Sequence, residues 1–290
     1  MNKNNFLYFG TLLFVIILFT YLFYLSTNYI INFWTYSQAH INYSDGFVKR
    51  GLFGSIALLL ESNFNIKFVS TFNIFFIIIY LSNILLFFLI IKQYSKFNFI
   101  FLFLALSPTL ILFSFNDLGG YQRFDAISIF LILLHSYYAN LYRSYKINFR
   151  NYLKKFKFIF IPLISVSILI HEIQMWSLPF HFFLIKMIFT QEKIKSYWLY
   201  FYFLFPLLIS LFVFVLPADE ASILSMYNNL ENKENLWHIP ITAAASAQGN
   251  LDIVFVELNR NLFNLYNLKI NLFFLILAVI PINFLMYYFN

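Results

Sequence analysis

No cysteine occurs in this chain of 290 residues, which excludes disulfides, thiolate metal centres and cysteine nucleophiles, and leaves the redox compartment open. Charge is also scarce. Asp, Glu, Lys and Arg make up 11% of the residues against about a quarter in an ordinary soluble protein, so most of the chain cannot be the surface of a water-soluble enzyme. Glycine and proline number seven each, too few for a linker-rich or low-complexity chain. What is present instead is apolar: 61% of the residues are hydrophobic, with 42 Phe and 21 Tyr. The abundance of Phe, Tyr, Ile, Asn and Lys together is what an AT-rich genome encodes, so the aromatic excess carries little functional weight.

Apolar runs of roughly 20 residues match a hydrocarbon core about 30 Å thick. They cover approximately Phe6–Ser26, Val69–Ile91, Phe97–Phe115, Ala126–Tyr142, Phe158–Trp176, Leu178–Thr190, Trp198–Pro217 and Ile270–Phe289. The first follows a short basic head but exceeds the length of a signal-peptide core and has no small-x-small cleavage site after it, so it reads as a retained span. The stretch 158–190 is either one long helix or a pair of short ones. Arg143, Lys146, Arg150, Lys154, Lys155 and Lys157 precede it and Lys193 and Lys195 follow, so both flanks belong on the cytoplasmic side and an even number of crossings separates them. Pro162 and Pro179 also disfavour a single straight helix.

The expected fold is therefore an all-α polytopic membrane protein, 1–290 forming one integral membrane domain of about eight transmembrane helices. Residues 27–68 form a first outer loop with a short interfacial helix, and 218–269 form an outer cap loop. With the N-terminus inside, the cytoplasmic side and its span ends hold 12 of the 19 Lys and Arg residues but only Glu192 of the 12 acids. The net charge of +7 is thus an orientation signal rather than a nucleic-acid footprint. Carboxylate chemistry belongs on the outer face.

Three outer clusters carry candidate chemistry. In Ser44-Asp45-Gly46-Phe47-Val48-Lys49-Arg50-Gly51-Leu52-Phe53-Gly54, three glycines permit tight turns and close backbone approach, presenting Asp45 beside two cations. The structural alternative is an interfacial helix capped by Asp45, with Lys49 and Arg50 on lipid headgroups. In Asn116-Asp117-Leu118-Gly119-Gly120-Tyr121-Gln122-Arg123-Phe124-Asp125, two carboxylates flank an arginine whose planar fork suits phosphate or carboxylate. Its alternative is a solvated polar hairpin. His171-Glu172 lies near the turn between the fifth and sixth runs, where an ionisable pair must line protein or a wet cavity, either to orient substrate or as a helix-end cap. Metal binding stays open, with a divalent ion as one option, although no H-E-x-x-H spacing appears. His135 and His181 fall inside spans and read as interhelical hydrogen-bonding or packing residues. Trp237 and His238 read as ordinary elements of the cap, with sugar contact as the alternative, and the small-residue run Ala243–Ala247 reads as a close-packed turn or helix.

An acidic first outer loop after one span, followed by a multispan helical core, resembles GT-C-type membrane glycosyltransferases. The small, very apolar chain is also similar to O-antigen and capsule polymerase-like proteins of bacterial surface-polysaccharide clusters. The resemblance implies an inner-membrane location with a periplasmic or extracellular catalytic face, and a lipid-linked saccharide as substrate among membrane lipids. It implies a catalytic carboxylate at Asp45, and the residues themselves leave Asp117 and Asp125 as alternatives. Lys49, Arg50, Arg123, His171 and Glu172 would contact substrate. A lipid-linked-glycan flippase or other transporter, and a structural membrane subunit, are the competing expectations. Protein partners stay open.

Overall fold

The computed structural model describes residues 33–93, 122–193, 197–215 and 220–228, with isolated positions between 10 and 24. The chain divides into two compact units, Met1–Ser246 and Ala247–Asn290. The first, third and eighth apolar runs, and most of 218–269, lie outside the described residues or are described only at isolated positions.

The described residues are helical and contain no strand: α1 (Phe33–Ala39), α2 (Gly51–Phe64), α3 (Phe68–Gln93), α4 (Asp125–Arg143), α5 (Phe149–Lys155), α6 (Ile161–Ile170), α7 (Leu178–Gln191), α8 (Tyr197–Val215) and α9 (Glu220–Asn228). One stretch among them, Phe68–Ile90 with mean hydropathy 2.5, is long and apolar enough to cross a membrane. The segment 27–68 holds two helices, α1 and α2, where one interfacial helix was expected.

The 158–190 stretch divides into two helices, as its flanking charges require, but the first begins earlier than its apolar run. α5 continues through one wide π-helical turn, Phe156–Phe160, into α6. Pro162 has no amide to bond the Phe158 carbonyl, and the loosened turn accommodates that loss. Lys155 and Lys157 stay in helix because their ammonium groups lie over the rings of Tyr138 and Tyr202, at 5.0 and 4.6 Å from the ring centroids. Their apolar stems pack while their charges reach outward. The α6 helix ends at Ile170, and a 3₁₀ turn, Glu172–Ser177, reverses the chain into α7.

Side-chain pairs fix the relative directions. Phe76 meets Phe124, and Asn83 donates to the Ala126 carbonyl at 3.1 Å, so α3 and α4 run the same way. Gln174 donates to the Phe124 carbonyl, His135 bonds His181 and Tyr142 donates to Glu192, so α4 and α7 also run the same way. Tyr142 meets Tyr152 and Tyr138 meets Phe160, so α5–α6 run opposite to α4, and α8 does too, meeting Phe156 through Tyr202 and Phe203 near its start and Phe47 through Phe212 near its end. The core is aromatic: Phe72, Phe76, Phe156 and Phe160 are fully buried. The outward faces are apolar too. Phe201, Leu204, Phe205, Leu208, Leu211 and Phe212 on α8 are all exposed, as are Phe183 and Met187 on α7. A continuous exposed apolar face of this kind is foreign to a water-facing surface.

Candidate functional site

The site is built at the end of the bundle where α2, α4 and α7 begin. Its first part is the glycine-rich loop before α2. Gly46 has φ of 130°, which strains any residue with a side chain, and a Cβ there would also crowd the Ser222 hydroxyl of α9 at 3.1 Å. Phe47 packs edge-on against Phe212 of α8 at 4.8 Å, and the Asn42 amide points at the Met226 sulfur of α9. A Cβ at Gly54 would lie 2.1 Å from the Ile41 carbonyl oxygen. The glycines thus let this chain pack closely on itself, where ligand approach was one expectation. Asp45 is partly exposed in the loop, and its Oδ2 accepts from the Ser44 hydroxyl at 2.9 Å. It does not cap α2: the helix starts at Gly51, and the residue at the cap position is Arg50, with no side-chain capping bond.

Arg50 holds a left-handed backbone, φ 64°, which costs a non-glycine residue about 1–3 kcal/mol and persists only where surrounding contacts over-determine it. The contact is Glu172. Arg50 Nε donates to Oε2 at 2.6 Å and the second guanidinium nitrogen donates to Oε1, a two-pronged pair with side chains 13% and 11% exposed. It joins α2 to the turn between α6 and α7, across 122 positions of sequence. His171 Nδ1 lies 3.9 Å from Glu172 Oε2. Lys49 is 1% exposed. Burial lowers its ammonium from the usual lysine value, opposed by the Glu172 charge and reinforced by that of Arg50.

The third part is the start of α4. Gln122, fully buried, is also left-handed at φ 61°, and its amide donates to Asn73 of α3 at 2.7 Å. Arg123 pairs with Asp125 at 2.7 Å, with side chains 43% and 36% exposed. The charges of Arg50 and Arg123 both act on the His171 ring, which lies 5.5 Å from that of Phe124. Gln174 ties the two segments together, donating to the Phe124 carbonyl at 2.8 Å and accepting from Ser128.

Lys49, Arg50, Arg123, Asp125, His171 and Glu172 therefore gather at one end of the bundle. Asp45 lies on the adjoining loop, and Asp117 lies outside the described residues, as do Gly119 and Gly120. Sequence reasoning missed Gln174, Ser128 and Gln122. Gln174 had a signal: it is an amide three residues after His171 within an apolar stretch. Among the described residues no three His, Asp or Glu side chains gather as metal ligands would. The cluster sets three cations, Lys49, Arg50 and Arg123, against the paired carboxylates of Glu172 and Asp125, with Arg123 the most accessible cation. No family model matches the chain, and neither does any curated protein or solved structure.

Proposed function

We propose that the chain is a multi-pass protein of a bacterial inner membrane that transfers or polymerises polyprenyl-phosphate-linked sugars at the outer face, in surface-polysaccharide synthesis. One observation carries the reading: cations and carboxylates from three separate segments meet at one end of a helical bundle whose sides are apolar. The membrane part of the reading is supported by the exposed faces of α7 and α8 and by the common direction of α3, α4 and α7. Alternation in an eight-span topology requires that direction of the second, fourth and sixth spans. The basic residues Arg143, Arg150, Lys154 and Lys193 sit at the opposite end, which this reading makes the cytoplasmic one.

In the transfer step, a sugar hydroxyl of the acceptor attacks the anomeric carbon of the donor, and Asp45 takes the hydroxyl proton as general base. The bond from the anomeric carbon to the lipid phosphate oxygen breaks, and the phosphate leaves with the electron pair. Arg123 receives the developing negative charge, since its fork matches two phosphate oxygens and its pairing with Asp125 is exposed enough to exchange for substrate. Arg50 is committed to Glu172, so its role is to hold the loop bearing Asp45 and Lys49 against the α6–α7 turn. Lys49 adds buried positive charge behind it. Asp117 and Asp125 are the alternative bases.

Lipid-linked saccharides extracted after deletion and complementation test the proposal. Longer glycans identify a polymerase and one added sugar a transferase. Unchanged saccharides that differ only in the leaflet they occupy identify a flippase and contradict it.

A further inference from the structure

Far from the charged end, three buried side chains form a hydrogen-bonded chain across three helices. The His135 ring of α4 bonds through Nδ1 to His181 Nδ1 of α7 at 2.9 Å, and through Nε2 to the Tyr152 hydroxyl of α5 at 2.7 Å. All three are fully buried. Aromatic rings surround them: Phe156 and Phe160 lie 5.3 and 4.8 Å from the His135 ring, and Phe180 lies 5.8 Å from that of His181. The interhelical hydrogen bond expected of the two histidines is present, but it does not complete their bonding. His181 Nε2 is buried and has no hydrogen-bond partner among the described residues.

Proton accounting shows what that end requires. A bond between two Nδ1 atoms needs one proton, so in the neutral pair the histidines hold opposite tautomers. Either His135 carries Nδ1–H and accepts from Tyr152, leaving His181 with an unbonded Nε2–H; or His181 carries Nδ1–H and His135 donates to Tyr152, leaving an unbonded Nε2 lone pair. Both arrangements put an unsatisfied polar atom at the same place. An unsatisfied buried group costs about 1–3 kcal/mol, and a buried water is its usual partner. Ser177, one helical turn before His181 and buried, donates its hydroxyl to the Gln174 carbonyl and keeps lone pairs for a further donor.

We propose that Tyr152, His135 and His181 form a proton-exchange chain whose port is a buried water-binding site at His181 Nε2. A proton arriving from a hydronium at that water bonds to Nε2. The Nδ1 proton of His181 passes to His135 Nδ1, the Nε2 proton of His135 passes to the Tyr152 oxygen, and the original phenolic proton leaves to a second water. One proton enters, one leaves, and the three side chains end neutral in exchanged tautomers. The titratable groups on the packed elements include Tyr138 and Tyr142 of α4, Lys155 of α5, Lys186 of α7 and Tyr202 of α8. Lys155 sits on the Tyr138 ring and Tyr142 donates to Glu192. None hydrogen-bonds the trio, which has no carboxylate partner among the described residues.

The test is nuclear magnetic resonance of the full chain in lipid nanodiscs with ring-¹⁵N histidine. The expected spectrum shows opposite neutral tautomers for residues 135 and 181, a nitrogen–nitrogen coupling across their shared proton, interconversion of the two tautomer pairs, and exchange of the His181 Nε2 proton with water. Tyr152→Phe, which removes the acceptor of the His135 Nε2 proton, should stop the tautomer interconversion and keep the coupling, and His181→Phe should abolish both at His135. Like tautomers at both histidines, a His181 Nε2 proton that survives in D₂O as long as the core helix amides, or tautomer interconversion undiminished in Tyr152→Phe would each overturn the proposal.

Discussion

Replacing Glu172 by Gln removes one charge with almost no change of shape, and its cost follows from the surroundings of the carboxylate. Glu172 accepts both prongs of the Arg50 guanidinium and its charge also acts on the buried Lys49. The amide keeps one acceptor oxygen, turns its NH₂ toward the other guanidinium N–H, and leaves two cations without a counter-charge. Removing one partner of a buried ion pair costs about 3–5 kcal/mol, against about 0–1 kcal/mol for an exposed one. At 11–13% exposure the pair belongs near the first range, so Glu172→Gln should destabilise by about 3 kcal/mol or more in equilibrium unfolding of the protein in mixed detergent micelles. Arg50→Met should cost a similar amount, because it strands the carboxylate and retains the left-handed backbone that the pair holds in place. The double variant should be less damaging than the sum of the two singles, with a coupling energy of about 2–3 kcal/mol. Two single variants each within about 0.5 kcal/mol of the native protein would refute the buried-pair reasoning, since that is the behaviour of surface substitutions.

Three shorter predictions follow the same logic. Gly54→Ala places a methyl 2.1 Å from the Ile41 carbonyl oxygen, a backbone atom that cannot swing aside, so it should cost at least about 1–3 kcal/mol in the same unfolding assay; a neutral result would mean that the α1–α2 connection yields freely. Arg123→Lys should leave stability within about 1 kcal/mol, because its pair with Asp125 is more than a third exposed, yet weaken binding of a purified polyprenyl-phosphate-linked donor; unchanged affinity in both Arg123→Lys and Arg123→Ala would remove it as the phosphate anchor. The absence of native cysteine makes single-cysteine labelling unambiguous: Asn63→Cys should react with an impermeant maleimide in intact cells, and Tyr145→Cys, at a site 96% exposed, should react only after lysis. The reverse pattern would invert the topology.

The helices α4 and α8 were legible in the sequence to within a residue or two, because an apolar run with basic residues at one end has few other interpretations. The division at 171–177 was legible from the basic flanks of 158–190 together with Pro162 and Pro179. The start of α5 was not. Lys154, Lys155 and Lys157 look like loop charge in one dimension, whereas in three dimensions Lys155 and Lys157 rest on tyrosine rings while their backbone stays helical. The same limit applies to the site. Arg50 and Glu172 were each recognised as chemically able residues, but in separate clusters, and nothing in local spacing joins residues 122 positions apart. Their partnership changes the reading of Arg50 from a substrate contact to a clamp. The glycines of the first loop were recognised as marking close approach, yet what approaches Gly54 is the chain's own Ile41 carbonyl, a fact of packing that spacing cannot encode.

The central claim is that Asp45 is the base of a sugar-transfer step at the outer face, and turnover by Asp45→Asn tests it most directly. The substitution preserves shape and leaves the Gly46 turn and the Arg50–Glu172 clamp in place, so the variant should fold, express and bind lipid-linked donor. Product formation, measured at matched protein levels, should fall by roughly 10²–10⁴-fold, the usual contribution of general acid–base catalysis. Near-native turnover by Asp45→Asn would contradict the account and move the base to Asp125 or Asp117.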